Sequence, residues 1–517
     1  MNLVDHLVIA PVVIPAIIAP LAMLAMRRRR RIGVALSLAG CAAMLVAALA
    51  LFAVAQDDAI RAYPLGDWPA PFGIVLVLDR LSAMMLVLAA ALAMIVMVHA
   101  IVTAVDRKGW HFHPMFHFQL LGLNGAFLTG DLFNLFVFFE VLLIASYGLM
   151  LHGQGAARLK AGVAYVVVNI VGSALFLIAL GLLYGLTGTL NMADLARSIA
   201  ALGPEDQGLI RMAGLLLVAV FGLKAAIVPL HLWLPCTYAA TTPVVAALFA
   251  IMTKVGVYAM IRTVPLMFGD SAGAAAWVPA PWLLPAAALT TIIGFAGVFT
   301  ARAMREQAAF AIVGSTGTLL LALSCWTQAT TAAAVFYLVH AVLSGAALFL
   351  VADVTLRRRG QYSDATVASP RFAGQQATGL LFLAATIAAA GLPPLSGFVA
   401  KLFILQTTFP VAPWWLIWAT ILCTTLIGVI GFARSGSVIF WKAAPADAAP
   451  IACPDRVRAE FIAPGALVAL LALLTLGAGW ATGEAQAIAA QIYAPDRYIA
   501  AVLGDQGQSQ GQSETPR

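Results

Sequence analysis

Three features of the sequence predict an all-α, polytopic membrane protein. Apolar residues make up 62% of the 517 and charged ones 10%, where soluble domains carry about 25% charge. Apolar runs of membrane length recur from end to end, and basic residues collect in alternate loops between them.

A helix of roughly 20 apolar residues crosses about 30 Å of hydrocarbon. Fourteen such spans are placed near 5–26, 32–55, 76–104, 114–130, 132–151, 161–187, 208–230, 238–262, 281–301, 307–328, 331–354, 377–409, 413–433 and 460–482. The first, Leu7 to Met26, is too long for a removable signal, its basic cluster follows rather than precedes it, and another span begins at once. The fourth is marginal in length. With the N-terminus outside, the loops after the odd-numbered spans hold nineteen Lys/Arg: Arg27 to Arg31, Arg107, Lys108, Arg158, Lys160, Arg302, Arg305, Arg357 to Arg359, Arg371, Arg434, Lys442, Arg456 and Arg458. The opposite side holds about six, so the positive-inside rule places both termini away from the cytoplasm. Leu190 to Leu202 (LNMADLARSIAAL) and the stretch around Val438 to Lys442 read as short interfacial helices or plain connectors. The polar tail Gly504 to Arg517 is compositionally disordered.

Two spans carry helix breakers at membrane depth. GLKAAIVPLHLWLP (222–235) has Pro229, and AGLPPLSGFVAKL (390–402) has Gly391, Pro393, Pro394 and Gly397. Proline removes a backbone donor and clashes with the preceding turn, so both helices are expected to break there. Interrupted spans five apart in order are what an inverted repeat of five-helix units produces, and such breaks mark ion sites. Laying Gly222-Leu223 over Gly391-Leu392 puts His231 one place from Lys401.

The ionisable residues inside spans carry the functional expectation. Glu140 is the only formal charge in LFNLFVFFEVLLIASYGLML (132–151), and Lys224, Lys254, His340 and Lys401 each stand alone in an apolar stretch. Insertion of such a group costs at least about 2.5–3.5 kcal/mol, which makes it by default a candidate for proton or ion movement. Glu140 and Lys224 are expected to form a movable ion pair: together they hold each other charged, and apart, desolvation favours the neutral forms. Lys254, His340 and Lys401 continue the row, with His231, Thr253, Ser344 and Ser396 as accessory relay groups. Lys254 stands eight residues before Arg262, about 12 Å at helical rise, so snorkelling to a headgroup is strained. His340 reads almost equally well as a satisfied core histidine. Asp131, Asp79 with Arg80, and Asp353 fall at span ends, where water and helix capping account for them.

Several classes are excluded. The net charge of +7 lies in short loops rather than on one soluble face, against nucleic-acid binding. Five scattered cysteines (41, 236, 325, 423 and 453) show no metal-ligand spacing. His111, His113 and His117 (HFHPMFH) flank a basic loop without an acid or cysteine companion and read as membrane-surface residues. No Walker motif, GxGxxG after a strand, nucleophile elbow or CxxCH occurs. No cofactor and no metal is expected.

At these residues the chain resembles the antiporter-like subunits shared by Mrp/Pha-type multisubunit cation/proton antiporters and the membrane arm of respiratory complex I. TGDLFNLFVFFEVLLIASYGL (129–149), FGLKAAIVPLHLWLP (221–235), PVVAALFAIMTKVGVYAMIR (243–262) and GLPPLSGFVAKLFIL (391–405) look like the family's signature segments. The 129–149 wording is most similar to the D-type subunits of the antiporters, and SGSVIFWK (435–442) fits the potassium-associated Pha type. The resemblance implies fourteen helices, two inverted five-helix repeats and broken seventh and twelfth helices. The division would be an N-terminal three-helix segment (1–113), a first repeat (114–262), a second repeat (281–433), a cytoplasmic connector with the last helix and C-terminal extension (434–503), and the tail (504–517). It also implies a proton path with Glu140 and Lys224 as coupling pair, Lys254 as central relay, His340 in the eleventh helix and Lys401 as distal group. Cys236 and Ser344 depart from the pattern, where many relatives carry an acid and a lysine, which leaves open a shortened or differently gated link between Lys254 and Lys401.

The expected function is thus a proton-translocating subunit of a multisubunit monovalent cation (K+ or Na+)/proton antiporter in a bacterial inner membrane, a secondary transporter rather than an enzyme, assembled with other membrane subunits. The alternative is a proton-pumping chain of a quinone reductase or membrane-bound hydrogenase, for which the same residues would serve. A passive scaffold would leave five buried ionisable groups without a reason.

Overall fold

The computed structural model describes residues 6–411, 413–442, 451 and 458–504. Among these, twelve helices are long and apolar enough to cross a membrane. Helices dominate because hydrocarbon offers no partner to a backbone N–H or C=O, so each segment must satisfy its own. Of the fourteen runs marked in the sequence, two fall short of that length: 114–130 forms a 17-residue helix, and 377–409 is divided by its break.

Helices α1 (Ala10–Arg28) and α2 (Arg30–Val54) turn at Arg29, and the basic run sits where the C-terminal end of α1 favours positive charge. A two-stranded antiparallel hairpin, β1 (Arg61–Pro64) with β2 (Val75–Leu78), leads to α3 (Arg80–Val102), which Asp79 and Ser82 start with a capping box. Helix α4 (Phe112–Leu128) precedes α5 (Leu132–Met150), and the Asp131 side chain caps α5. Next come the 32-residue α6 (Ala156–Thr187) and the short α7 (Met192–Ala200), a helix within the 190–202 stretch expected as an interfacial helix or connector. Backbone bonds stitch these ends together: Gly130 N–H to Val75 O at 2.8 Å, Leu132 N–H to Leu190 O at 2.9 Å and Met192 N–H to Gly130 O at 2.9 Å.

Both expected breaks are present. Helix α8 (Gln207–Ala225) ends at Ala226 in the left-handed region (φ 59°), and the chain resumes as α9 (Trp233–Ala240). Helix α15 (Gln375–Ala390) ends at Gly391 (φ 78°) and resumes as α16 (Ser396–Thr408). Pro229 and Pro394 each stand three places after the left-handed position. Superposing the two caps therefore offsets the segments by 165 residues rather than the 169 read from the Gly-Leu pairs. His231 then falls on Ser396 and Cys236 on Lys401, which corrects the Gly-Leu overlay by one helical turn.

A third interruption carries no breaker in the sequence. The eighth span divides into α10 (Pro243–Phe249) and α11 (Met252–Met267), with i→i−3 bonds at Ala250 and Ile251. The Tyr238 hydroxyl donates to the Phe249 carbonyl at 2.9 Å, satisfying an acceptor close to the interruption. Helices α12 (Ala280–Thr300), α13 (Met304–Leu323) and the 31-residue α14 (Gln328–Arg358) follow. The apolar windows of Pro243–Met267 and α14 are 100% and 94% buried, against 33% for α6. The first two are therefore the interior, and α6 faces outward.

Helix α17 (Trp414–Gly436) runs into a π-turn, Ser437–Trp441, where a short interfacial helix was expected. The last expected span, 460–482, is divided: the apolar stretch of membrane length is Ala459–Leu476, α18 (Ile462–Leu476) gives way at Gly477 to α19 (Ala478–Ile492), and α20 (Pro495–Leu503) closes the described chain. Residues 505–517 of the expected disordered tail, with Cys453 and Arg456, lie outside the described residues.

The acids at span ends do more than cap. Asp79, 2% exposed, receives two bonds from Arg262, one at 2.8 Å, and Arg262 also lies over the rings of Tyr258 and Tyr498. Asp353, also 2% exposed, takes His99 Nε2 at 3.1 Å and Arg357 Nε at 2.7 Å. Water access was the wrong expectation for both, because each is covered by a helix distant in sequence. His113 and His117 are likewise buried rather than at the membrane surface: His113 pairs with Asp106, which also takes Arg30, and His117 bonds Ser37 at 2.9 Å. In the loop after α14, burial raises the Asp364 carboxyl, but two bonds from Arg305 at 3.0 Å hold it below the usual carboxylate range.

Breaking one half of a buried ion pair strands the other charge, at about 3–5 kcal/mol. Arg262→Leu is expected to lower thermal stability in detergent by that order, with Asp79→Asn nearly as severe. The two together should be no worse than Arg262→Leu alone; additive losses would show that the pair does not act as a unit.

Candidate functional site

The breaks decide where charge can sit. Lys224 occupies the last turn of α8, where a cation meets the negative end of the helix, and its Nζ donates to Asn169 Oδ1 at 3.3 Å. Trp233 Nε1, beyond the break, donates to the Leu223 carbonyl at 3.1 Å. Lys401 sits on the far side of the second break and reaches back across it, with Nζ 2.8 Å from the Ala390 carbonyl and 2.7 Å from Thr425 Oγ1 on α17. The Phe295 ring lies 5.2 Å from the ammonium. Glycine at 391 serves two ends: it takes the positive φ without the strain that Ala226 bears at the first break, and a Cβ there would stand 2.6 Å from Lys401 Cδ.

Lys254 follows the third interruption and is fully buried. Its Nζ donates to Ser315 Oγ at 3.1 Å and Thr316 Oγ1 at 2.9 Å, both on α13. His340, 2% exposed on α14, bonds Ser396 Oγ through Nδ1 at 3.0 Å and stands within electrostatic reach of both Lys254 and Lys401. Glu140, partly buried on α5, accepts a hydrogen bond from Ser173 on α6. A cavity of about 20 Å³, room for one water, is bounded by Lys224, Asn169, Trp233, Met252 and Val255. It lies between the first lysine and the residues on either side of the second.

The expected residues are thus brought to adjoining helices, with one difference. Glu140 and Lys224 make no direct ion pair within 4.0 Å among the described residues. Each is held instead by a neutral side chain of α6, although Glu140 remains within electrostatic reach of Lys224. Lys254 and Lys401 also have no carboxylate partner among the described residues; their acceptors are hydroxyls and one carbonyl. His231 is buried in the turn after the first break, against the backbone of Pro229, and makes no hydrogen bond to either neighbouring lysine among the described residues. Of the accessory groups, Ser396 meets His340, Ser344 bonds its own helix at Ala341 O, and Thr253 Oγ1 has no protein partner among the described residues. No group of three His, Cys, Asp or Glu able to hold a metal occurs among the described residues.

Asn169, Ser173, Ser315, Thr316 and Thr425 do not stand out in the sequence. A search for charge in apolar spans passes over neutral polar residues. The available signal is the i, i+4 spacing of Asn169 and Ser173 on one face of an otherwise apolar helix. Chemically, the arrangement is a series of basic groups and one acid, each hydrogen-bonded to neutral groups rather than directly to an opposite charge.

Comparison with known proteins identifies the family. Residues 129–428 match the family described as NADH:quinone oxidoreductase/Mrp antiporter, transmembrane. A Rhizobium meliloti protein, named as the probable D subunit of a K(+)/H(+) antiporter, is 38% identical over 533 residues, covering 96% of this chain and 98% of that protein. The D subunit of the Na(+)/H(+) antiporter of Bacillus subtilis is 34% identical over 506 residues, covering 96% and 99%. Among solved structures, a chain of the Mrp complex from a Dietzia species superposes with a TM-score of 0.86 at 28% identity, covering 98% of this chain and 100% of that one. With its signature region matched and nearly its whole length shared with these relatives, the chain belongs to the NADH:quinone oxidoreductase/Mrp antiporter family of membrane proteins.

Proposed function

We propose that this chain is the proton-translocating membrane subunit of a multisubunit monovalent cation (K+ or Na+)/proton antiporter, working with other membrane subunits in a bacterial inner membrane. Glu140 and Lys224 act as the coupling pair, Lys254 as the central relay, His340 and Lys401 as the distal groups, and His231 as an accessory. The observation that carries this reading is that the lysines are buried at helix interruptions with neutral acceptors rather than carboxylates. A purely structural lysine would be expected to have an acid, as Arg262 has Asp79.

The coupling follows from electrostatics. At an effective dielectric constant of about 20, two unit charges roughly 10 Å apart interact by about 1.7 kcal/mol, more than a tenfold bias in an equilibrium. Protonation of one amine therefore disfavours charge on the next, and hydroxyls between them pass the proton on. We further assign fourteen spans in two inverted repeats (114–262 and 281–433), flanked by residues 1–113 and 434–503, with both termini on the periplasmic side. Two broken spans with matching left-handed caps, and the alternation of basic loops, support that assignment.

In vesicles containing the complete complex, Glu140→Ala or Lys224→Ala is expected to abolish cation-dependent proton flux while assembly persists; wild-type flux in both would overturn the assignment. Lys254→Met should also lose flux while melting at the same or a higher temperature than wild type, because it removes a costly buried amine. A marked loss of stability would make Lys254 structural. Alkaline phosphatase fused after Leu503 is expected to be active, and an inactive fusion would reverse the orientation.

A further inference from the structure

Three successive turns of α6 point polar groups inward. Tyr165, Asn169 and Ser173 are buried, whereas Val167, Ile170, Val171, Leu177 and Ile178 on the same helix are exposed. The Tyr165 hydroxyl shares a hydrogen bond with Ser146 of α5 at 2.8 Å. Asn169 Nδ2 is committed to the Tyr165 carbonyl at 2.8 Å, which leaves Oδ1 for Lys224. Ser173, one turn on, donates to Glu140. Four residues of helix separate the two attachment points by about 6 Å.

We propose that Asn169 and Ser173 are positioning residues that hold the acid and the amine of the Glu140/Lys224 pair apart in a metastable open arrangement; this rests on the role given to that pair above. A hydroxyl donor satisfies a carboxylate and an amide oxygen satisfies an ammonium, so both charges persist without touching. The open arrangement then competes with the direct ion pair, and a switch needs two states of comparable free energy. The outer helix α6 sets that balance, although it carries no formal charge between Lys160 and Thr187.

The test uses vesicles with the complete complex and compares Ser173→Ala, Asn169→Leu and Ser173→Thr with Glu140→Ala and Lys224→Ala. The first two variants are expected to assemble, to lose flux by at least about tenfold, the scale of one hydrogen bond to a charged group, and to show a pH optimum displaced from wild type. Ser173→Thr, which keeps the hydroxyl, should restore both rate and optimum. Asn169→Asp covers the case in which Asn169→Leu does not assemble: a carboxylate there pins Lys224 and should reduce flux by a similar factor. Inactive Glu140→Ala and Lys224→Ala beside unchanged flux and pH profile in the Ser173 and Asn169 variants would overturn the positioning role alone. Reduced flux with an unmoved optimum and no rescue by threonine would also overturn it, as a merely structural effect. Wild-type flux in Glu140→Ala and Lys224→Ala would remove the pair's role and this inference with it.

Discussion

A helix that stops inside an apolar bundle leaves carbonyl oxygens that neither lipid nor the next turn can satisfy, and the rest of the site is arranged around that constraint. Lys401 meets it most directly, its ammonium donating to the last carbonyl of α15 across the break. Trp233 does the same for Leu223, and Tyr238 for Phe249. Each interruption thus recruits a donor, and near each one a lysine is buried. Gly391 belongs to this arrangement because it supplies the left-handed turn and leaves room for the Lys401 stem.

Two kinds of buried charge result. Toward the span ends, Asp79 with Arg262 and Asp353 with His99 are acid–base contacts between helices distant in sequence, and Arg357, one turn along the same helix, also pairs with Asp353. Such pairs lock, because separating them strands a charge in a poor solvent. Between them, Lys224, Lys254 and Lys401 are held by an amide, hydroxyls and a carbonyl. These partners are neutral acceptors, so loss of the amine's proton leaves no directly bonded carboxylate unpaired. On the function proposed above, the first kind holds helices together and the second is the kind that changes protonation.

Much of the site was legible in the sequence. Glu140, Lys224, Lys254, His340 and Lys401 stand out because a lone ionisable group in an apolar run is rare and needs no neighbour to be noticed. The breaks at Pro229 and at Gly391 to Pro394 were legible for the same local reason. The interruption beside Lys254 was not, since VVAALFAIMTKVGV contains no proline and its only glycine follows the lysine; the tertiary bond from Tyr238 accompanies it. Nor could the sequence show that Glu140 and Lys224 are bridged by α6, or that His113 and Asp353 are buried, because each depends on which helix lies alongside.

By itself, the sequence determined the class, two of the three interruptions and which lone ionisable groups stand inside apolar runs. Hydropathy, helix breaking and isolated charge are local properties that add along the chain. Only the tertiary structure decided the partner of each group: Ser173 for Glu140, Asn169 for Lys224, Ser315 and Thr316 for Lys254, Ser396 for His340. Hydrogen bonding is short-ranged, and these residues are separated by 33 to 62 positions along the chain, so only helix packing could bring them within 3.5 Å.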